Sequence, residues 1–583
     1  MTANQFEDVI EQLGGFGPYQ RRIFLLVSLF ETPAAWAMLL PVFTGATPTW
    51  SCPLMMNYTY TNHDNENVTG DHHGNRTVDH HGNYSSGNMT YAETGACSSD
   101  GSICQSVQYS KDYTSVVSEW GLICNQDYVS DLITTVQMVG VLVGACITGQ
   151  LADTFGRRKI FYIIYALLLG VGFASSFANS WQLYAACRFF VGGLIGGTMV
   201  VNFVLPMEFI SPRWRTFCGC VGFWAVGVMT LPIFAYFIRD WRHLSMATSA
   251  CGSLLLLTWW FVPESARWLI QKGRLEEARQ IIRHIAKYNN KPVPDLTFLE
   301  QYVEEKEKKQ TREEYSYIDL FRSPTTTKCT LIICYAWFVC SSTYYGLSLN
   351  VKNLSGSRYL NFFISGLVEI PALLLVLAIN NRIGRRKTIF ILLSIGGLSC
   401  FVILFIDLAG KLEELSVLVT VLAMLGKSGI SGAWAASQII AAELFPTLIR
   451  NIGVGACSMS ARVGGIVAPQ IVFLTKFGEP IPFILFGSFA LVCAVLICLL
   501  PETLNKPLED IVQDWSWRKS TRSQNGHVKA NGTLPDRMDT QMDEIIVKDG
   551  LVVIDGTTQE RRKLIHGNVN VENEEHKAET TAL

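Results

Sequence analysis

Apolar residues in this chain are pooled into runs of about 20, long enough for an α-helix to cross ~30 Å of bilayer hydrocarbon. Twelve runs stand out, near 23–47, 131–152, 160–179, 183–205, 217–238, 244–262, 330–350, 360–380, 388–408, 415–437, 452–474 and 481–500. Only 16% of the 583 residues are charged and 49% are apolar, whereas soluble domains carry roughly 25% charged residues. A soluble enzyme, a nucleic-acid binder and a fibrous protein are excluded. The formal charge of −2 says nothing about partners, because the signs are sorted by loop.

That sorting sets the expected orientation. The 46–130 loop holds only Arg76 and Lys111 as strong bases, beside acids such as Asp64, Glu66, Asp71 and Asp79. Lys and Arg concentrate instead at Arg157-Arg158-Lys159, at Arg382 to Lys387 and along 263–329. The positive-inside rule places those segments and the N-terminus in the cytosol. An even number of spans returns the C-terminus there too. Residues 1–22 are polar and the first apolar run is too long for a signal-peptide core, so no cleaved leader is expected.

Glycosylation sequons point the same way. Asn57, Asn67, Asn75, Asn83 and Asn88 all begin Asn-x-Ser/Thr in one loop; Asn353 follows the seventh run, and Asn531 falls in the tail, where the topology makes it a chance match. Four of the sixteen cysteines, Cys52, Cys97, Cys104 and Cys124, share the sequon-bearing loop, and four oxidised cysteines allow three pairings. The paired histidines His72-His73 and His80-His81 sit in a polar repeat with no fixed tetrahedral ligand set, so no metal site is expected.

The chain repeats itself. Gly156-Arg157-Arg158-Lys159 recurs as Gly384-Arg385-Arg386-Lys387, Glu208 with Arg215 as Glu443 with Arg450, and Pro263-Glu264-Ser265 as Pro501-Glu502-Thr503. Motifs in the same order after spans 2, 4 and 6 and after spans 8, 10 and 12 indicate duplication. The expected organisation is a cytosolic N-terminus (1–22), a six-helix bundle (23–262, with its outer loop at 48–130), a cytosolic linker (263–329), a second bundle (330–500) and a largely disordered cytosolic tail (501–583). Two such bundles rocking about a central site is an alternating-access design. A lone Gly-Arg-Arg would be positive-inside anchoring; the fuller Gly149 to Arg158 motif, with Asp153 placed to accept from arginine, reads as a cytosolic latch. Asp153, Arg157, Arg158, Glu208, Arg215, Glu264, Arg267, Arg385, Arg386, Glu443, Arg450 and Glu502 are its expected members.

These motifs, with Glu119-Trp120-Gly121-Leu122-Ile123-Cys124 and Ala442-Glu443-Leu444-Phe445-Pro446-Thr447, resemble the organic cation, carnitine and organic anion transporter family of the major facilitator superfamily. The resemblance covers residues 1 to about 510. Leu231-Pro232 through Ala235 to Arg242 is most similar to the carnitine and zwitterion branch. It implies an all-α membrane protein with twelve helices in two bundles. It also implies a plasma-membrane transporter of small organic ions that uses no cofactor and is not an enzyme. The first loop has four cysteines where the family usually has six.

Intramembrane charges are functional candidates because hydrocarbon disfavours them by roughly 2.5–3.5 kcal/mol. Glu31, Glu369, Lys427 and Arg462 sum to zero, which suits a zwitterion; the alternative is that they pair off internally, Glu369 with Lys427 in particular. Family resemblance places an acid at the Arg462 position in cation transporters and Arg in carnitine and anion transporters; a guanidinium offers a fork to a carboxylate. Trp337 and Tyr344, seven apart on one helix face, are the expected aromatic contacts for a quaternary ammonium, with Trp36 and Trp224 behind them. Arg188 reads as a structural hydrogen-bond hub.

Gly426-Lys427-Ser428 lacks the leading glycine of a phosphate loop (Val421 stands there), so direct ATP use is not expected. Ala34 and Thr198 fall where sodium-coupled relatives are polar, so sodium coupling is not expected either. Leu275 to Ala286 reads as an amphipathic helix bracing the halves. The chain ends Thr581-Ala582-Leu583, a PDZ-type terminus. Rival readings are an organic cation or anion transporter of the same family, a non-transporting sensor and a membrane glycosyltransferase.

Overall fold

The computed structural model describes residues 2–51, 59–61, 67–69, 77–78, 84–85, 107–220, 222–296, 317–445, 449–504, 546–548 and 551–553. It divides into two units, Met1–Ser516 and Trp517–Leu583. The second contributes one hairpin, Ile546–Lys548 paired with Leu551–Val553. Asn57, Asn75, Asn83, Asn88, Cys52, Cys97, Cys104, Thr581 and Leu583 lie outside the described residues. Asn67 opens a short strand, Asn67–Thr69.

Nine helical segments among the described residues are long and apolar enough to cross a bilayer: Pro18–Thr44, Cys124–Phe155, Arg157–Phe177, Trp181–Met207, Pro324–Asn353, Arg358–Ile383, Arg385–Leu408, Ser416–Leu444 and Ile452–Phe477. They correspond to the expected spans 1–4 and 7–11. The other three expected spans are shorter or divided. The fifth is a helix Pro212–Cys220 followed, after a break, by Trp224–Phe237. The sixth passes from an α-helix of 13 residues, Trp241–Ser253, into a 3₁₀ helix of 7, Leu254–Trp260. The looser rise of the 3₁₀ turn lets these two pieces cover about 33 Å. The twelfth is Ile481–Ile497.

Two long spans are interrupted at similar words. In the first, helix Pro18–Ser28 gives way at Leu29 and restarts as Glu31–Leu39. In the eighth, Arg358–Leu367 gives way at Val368 and restarts as Glu369–Ile383. Each restart begins Glu-x-Pro, with Pro33 and Pro371. Proline has no N–H and its ring clashes with the carbonyl four residues earlier, so each helix breaks just ahead of an intramembrane glutamate.

One continuous apolar core runs through both bundles, with Phe30, Tyr165, Leu205, Ile333, Phe362, Ile430 and Phe486 fully buried. A second, smaller core holds Trp50, Val116, Leu122, Ile123, Tyr184 and Trp241. It anchors the end of the first loop: Glu119 accepts from Trp241 Nε1 at 2.7 Å and from Arg242 Nε at 3.2 Å. Cys124, which ends that segment, is disulfide-bonded. The amphipathic linker helix extends to Leu275–Tyr288 and buries Ala278, Ile282, Ile285 and Ala286. It fastens to the start of the first span: Asn289 accepts from Tyr19 N at 3.0 Å and donates to the Leu13 carbonyl at 2.8 Å.

Candidate functional site

The duplicated motifs build two matching clusters. Arg157 pairs with Asp153 and, at 3.3 Å, with Glu208. Arg385 pairs with Glu443 at 3.1 Å and donates to the Asn381 side chain at 2.7 Å. Glu264 accepts from the backbone N–H of Arg158 at 3.0 Å, and Glu502 from those of Arg385 and Arg386 at 2.7 and 3.3 Å. A carboxylate against free N–H groups at a helix start is a favourable charge-assisted cap. Gly156 and Gly384 make the approach possible: φ is +115° and +101°, and an added Cβ would lie 2.6 and 2.5 Å from the glutamate oxygens.

Arg158 stacks 4.2 Å from the Trp259 ring centroid and donates to the Trp259 carbonyl, while Arg386 donates to the carbonyl of Leu500 at 3.0 Å. Arg215 does not engage Glu208; with Arg267 it holds Glu7, which accepts from Arg215 Nη2 at 2.9 Å and from Arg267 Nη1 at 3.3 Å. Arg450 donates to the Phe445 carbonyl. Among the described residues these pairs tie helices of one bundle together and so brace each half. Burial pushes the Glu208 carboxyl up from the usual carboxylate range, against the pull of Arg157.

Deeper in the bundle the intramembrane charges separate into two groups. Glu369 and Lys427 form an ion pair at 3.0 Å, with side chains only 3% and 1% exposed. Tyr344 donates to Glu369 Oε1 at 2.8 Å and accepts from Trp224 Nε1 at 2.7 Å, and Lys427 also donates to Ser365. The ammonium lies 5.0 Å from the centroid of the Tyr344 ring, and Trp434 closes edge-on against Tyr344 and Tyr345. A buried pair of this kind holds only when its remaining lone pairs and protons are satisfied; Tyr344 and Ser365 do that. Since Trp224 belongs to the first bundle, the network also joins the two halves.

Glu31 stands apart from the pair. Its carboxylate accepts from the backbone N–H of Trp224 at 3.1 Å and from Asn202 Nδ2 at 3.2 Å. It therefore caps the restarted fifth span, and Gly222 leaves room for it, since a Cβ there would lie 2.3 Å from Glu31 Oε2. Arg462 is half-buried, and its buried Nε has no acceptor among the described residues. Trp337 is half-buried and donates to the Ser437 carbonyl at 3.4 Å. Trp36 is packed against Phe234 and bonded to Thr230. Arg188 is less of a hub than expected: Nη2 donates to the Ala37 carbonyl at 2.8 Å, and Nε has no acceptor among the described residues.

The end opposite the Gly-Arg-Arg clusters is joined across the bundles by Lys352 with Asp131 at 2.8 Å, Lys476 with Asp127 at 2.5 Å, and Arg358 donating to Tyr113 Oη at 2.7 Å. Phe43 packs between Tyr359 and Phe362 just beneath. Sequence reasoning missed these residues, along with Glu7, Trp434 and Ser365. Only the Glu-x-Pro words carried a readable signal.

The sequence matches the sugar (and other) transporter family over residues 55–515. It is 37% identical over 533 residues to the organic cation transporter protein of Drosophila melanogaster, covering 87% of this chain and 94% of that one. It is 34% identical over 528 residues to the Homo sapiens organic cation/carnitine transporter 2, covering 87% and 93%. This chain belongs to the organic cation, carnitine and organic anion transporter family. It is a multi-pass membrane transporter and not an enzyme. The partially occluded, inward open xylose transporter XylE from E. coli aligns at a TM-score of 0.56 and 14% identity, over 84% of this chain and all of that one. That likeness shows the major facilitator fold.

Proposed function

We propose that this family member carries carnitine-like zwitterions across the plasma membrane by alternating access. The observation that carries the reading is the unequal fate of the four intramembrane charges. Glu369 and Lys427 neutralise each other, and Glu31 is taken up by the fifth-span helix end and Asn202. Arg462 alone keeps a buried donor without an acceptor among the described residues. A guanidinium left in that position recruits a carboxylate, and it repels a substrate that carries only positive charge. Aromatic faces at Trp337 and Tyr344 would meet the quaternary ammonium end. The names of the related cation and carnitine transporters support the same substrate class.

In this reading the termini are cytosolic, the clustered sequons are outward and glycosylated, and the C-terminus is open to a PDZ scaffold. The two braces keep each bundle rigid while the bundles rock, which is how they contribute to the cytosolic gate.

The test is initial uptake of carnitine against tetraethylammonium, normalised to surface protein. Arg462→Ala should weaken carnitine by roughly ten- to a hundredfold, the loss of a charge-assisted contact of about 1.5–3 kcal/mol. Arg462→Lys should rescue part of this, and Arg462→Asp should favour tetraethylammonium. Equal losses for both substrates in every variant would reduce Arg462 to a packing role.

A further inference from the structure

We propose that the first bundle holds a small-anion site at Arg188, separate from the substrate network, and that its occupant is a halide, chloride in physiological media. Arg188 is 1% exposed, in the fourth span. It lines a cavity enclosed by the first, third, fourth and sixth spans, whose walls include Pro33, Ala37, Leu168, Val191, Thr248 and Ser249. The Glu369–Lys427 network lies instead among the fifth, seventh, eighth and tenth spans.

The guanidinium is under-compensated. Its Nη2 donates to the Ala37 carbonyl, its Nε donates to nothing among the described residues, and no described carboxylate forms an ion pair with it. The Tyr184 ring, 5.9 Å away at its centroid, supplies a weak partner. Arginine cannot escape by losing its proton, unlike a buried lysine or carboxylic acid. A buried unpaired charge is costly, so a mobile counter-ion is the remaining way to balance it.

The walls indicate which ion. Ser245 and Thr248 already donate to helix carbonyls, to Gly172 at 3.3 Å and Leu244 at 3.0 Å. That leaves the guanidinium and the Ser249 hydroxyl as the donors, in a space walled for the rest mainly by Pro33, Ala37, Leu40, Leu168, Leu169 and Val191. A carboxylate or phosphate would bring further lone pairs with no donor to meet them. A monatomic anion, weakly hydrated and without directional lone pairs, has no such requirement.

The experiment uses the full-length protein in lipid nanodiscs, with thermal unfolding followed while sodium chloride or bromide replaces sodium gluconate at constant ionic strength. Chloride and bromide should raise the midpoint saturably by about 2 °C or more, because ligand binding to the folded state alone stabilises it. Arg188→Gln should abolish the rise. Ser249→Leu fills the cavity while keeping the charge, and should raise the half-saturating chloride concentration about tenfold or more. Identical wild-type midpoints in chloride and gluconate would overturn the proposal and leave the cavity to water. An undiminished chloride effect in either variant that folds would also overturn it, by placing the ion elsewhere.

Discussion

In the first bundle Arg157 faces two carboxylates, Asp153 and Glu208; in the second, Arg385 faces one, Glu443, and gives its other hydrogen bonds to the Asn380 carbonyl and the Asn381 amide. Asp153 and Asn381 are equivalent positions, so a charge in one half answers to an amide in the other. The frame is otherwise shared, down to the glutamate that returns from beyond the bundle's last helix to cap the Gly-Arg turn. Satisfaction differs more than charge does. Arg157 Nε and Glu208 Oε2 lack hydrogen-bond partners among the described residues, whereas Glu443 is closed off by the Thr503 hydroxyl at 2.6 Å. The first cluster instead adjoins a third element, the N-terminal helix, through Glu7. Duplication has preserved which elements are tied together, while the number of charges tying them has drifted.

The sharpest way to break this comparison is to delete the two arginines. Arg385→Ala leaves Glu443 without its partner in a tightly satisfied site and should cost about 3–5 kcal/mol. Arg157→Ala should cost less, about 1–2 kcal/mol: Glu208, 13% exposed and with its carboxyl already pushed up by burial, relieves the lost partner by taking up a proton, and Asp153, 64% exposed, gives up little. Thermal unfolding of the purified variants reads the difference, and equal losses would mean the clusters are energetically identical.

The two capping glutamates should behave alike. Glu264→Gln and Glu502→Gln each replace a charged acceptor with a neutral one at a helix start, for about 1 kcal/mol apiece. A loss confined to one bundle, in the same melting assay, would show that the shared frame is only geometric.

The smallest expected effect is at Glu7. Glu7→Ala should destabilise by under about 1 kcal/mol, since its arginine partners are a third exposed or more. A cost approaching that of Arg385→Ala would make the N-terminal helix an integral part of the first cluster.

Legibility along the chain follows the range of the interaction. The long apolar spans and the matched Gly-Arg-Arg and Pro-Glu words are local, and they carried the fold class and the duplication. The interrupted helices were half-legible: Pro33 and Pro371 each mark a break, yet continuous hydropathy hides it. Partner choice was harder. Glu7 reaches Arg215 and Arg267 across 208 and 260 residues, and Trp224 reaches Tyr344 across 120. No spacing rule extends that far.

Sequence alone determined that this chain crosses a membrane many times, in two related halves whose matching Gly-Arg-Arg loops are basic. Those properties come from summed transfer energies and loop charges, which do not depend on the final packing. Only the tertiary structure decided which of the four intramembrane charges are neutralised, which glutamate caps a helix, and which arginines are left short of an acceptor among the described residues. Opposite charges in a sequence are interchangeable partners; in a low-dielectric interior, distances of about 3 Å and the hydrogen bonds around them select among the pairings.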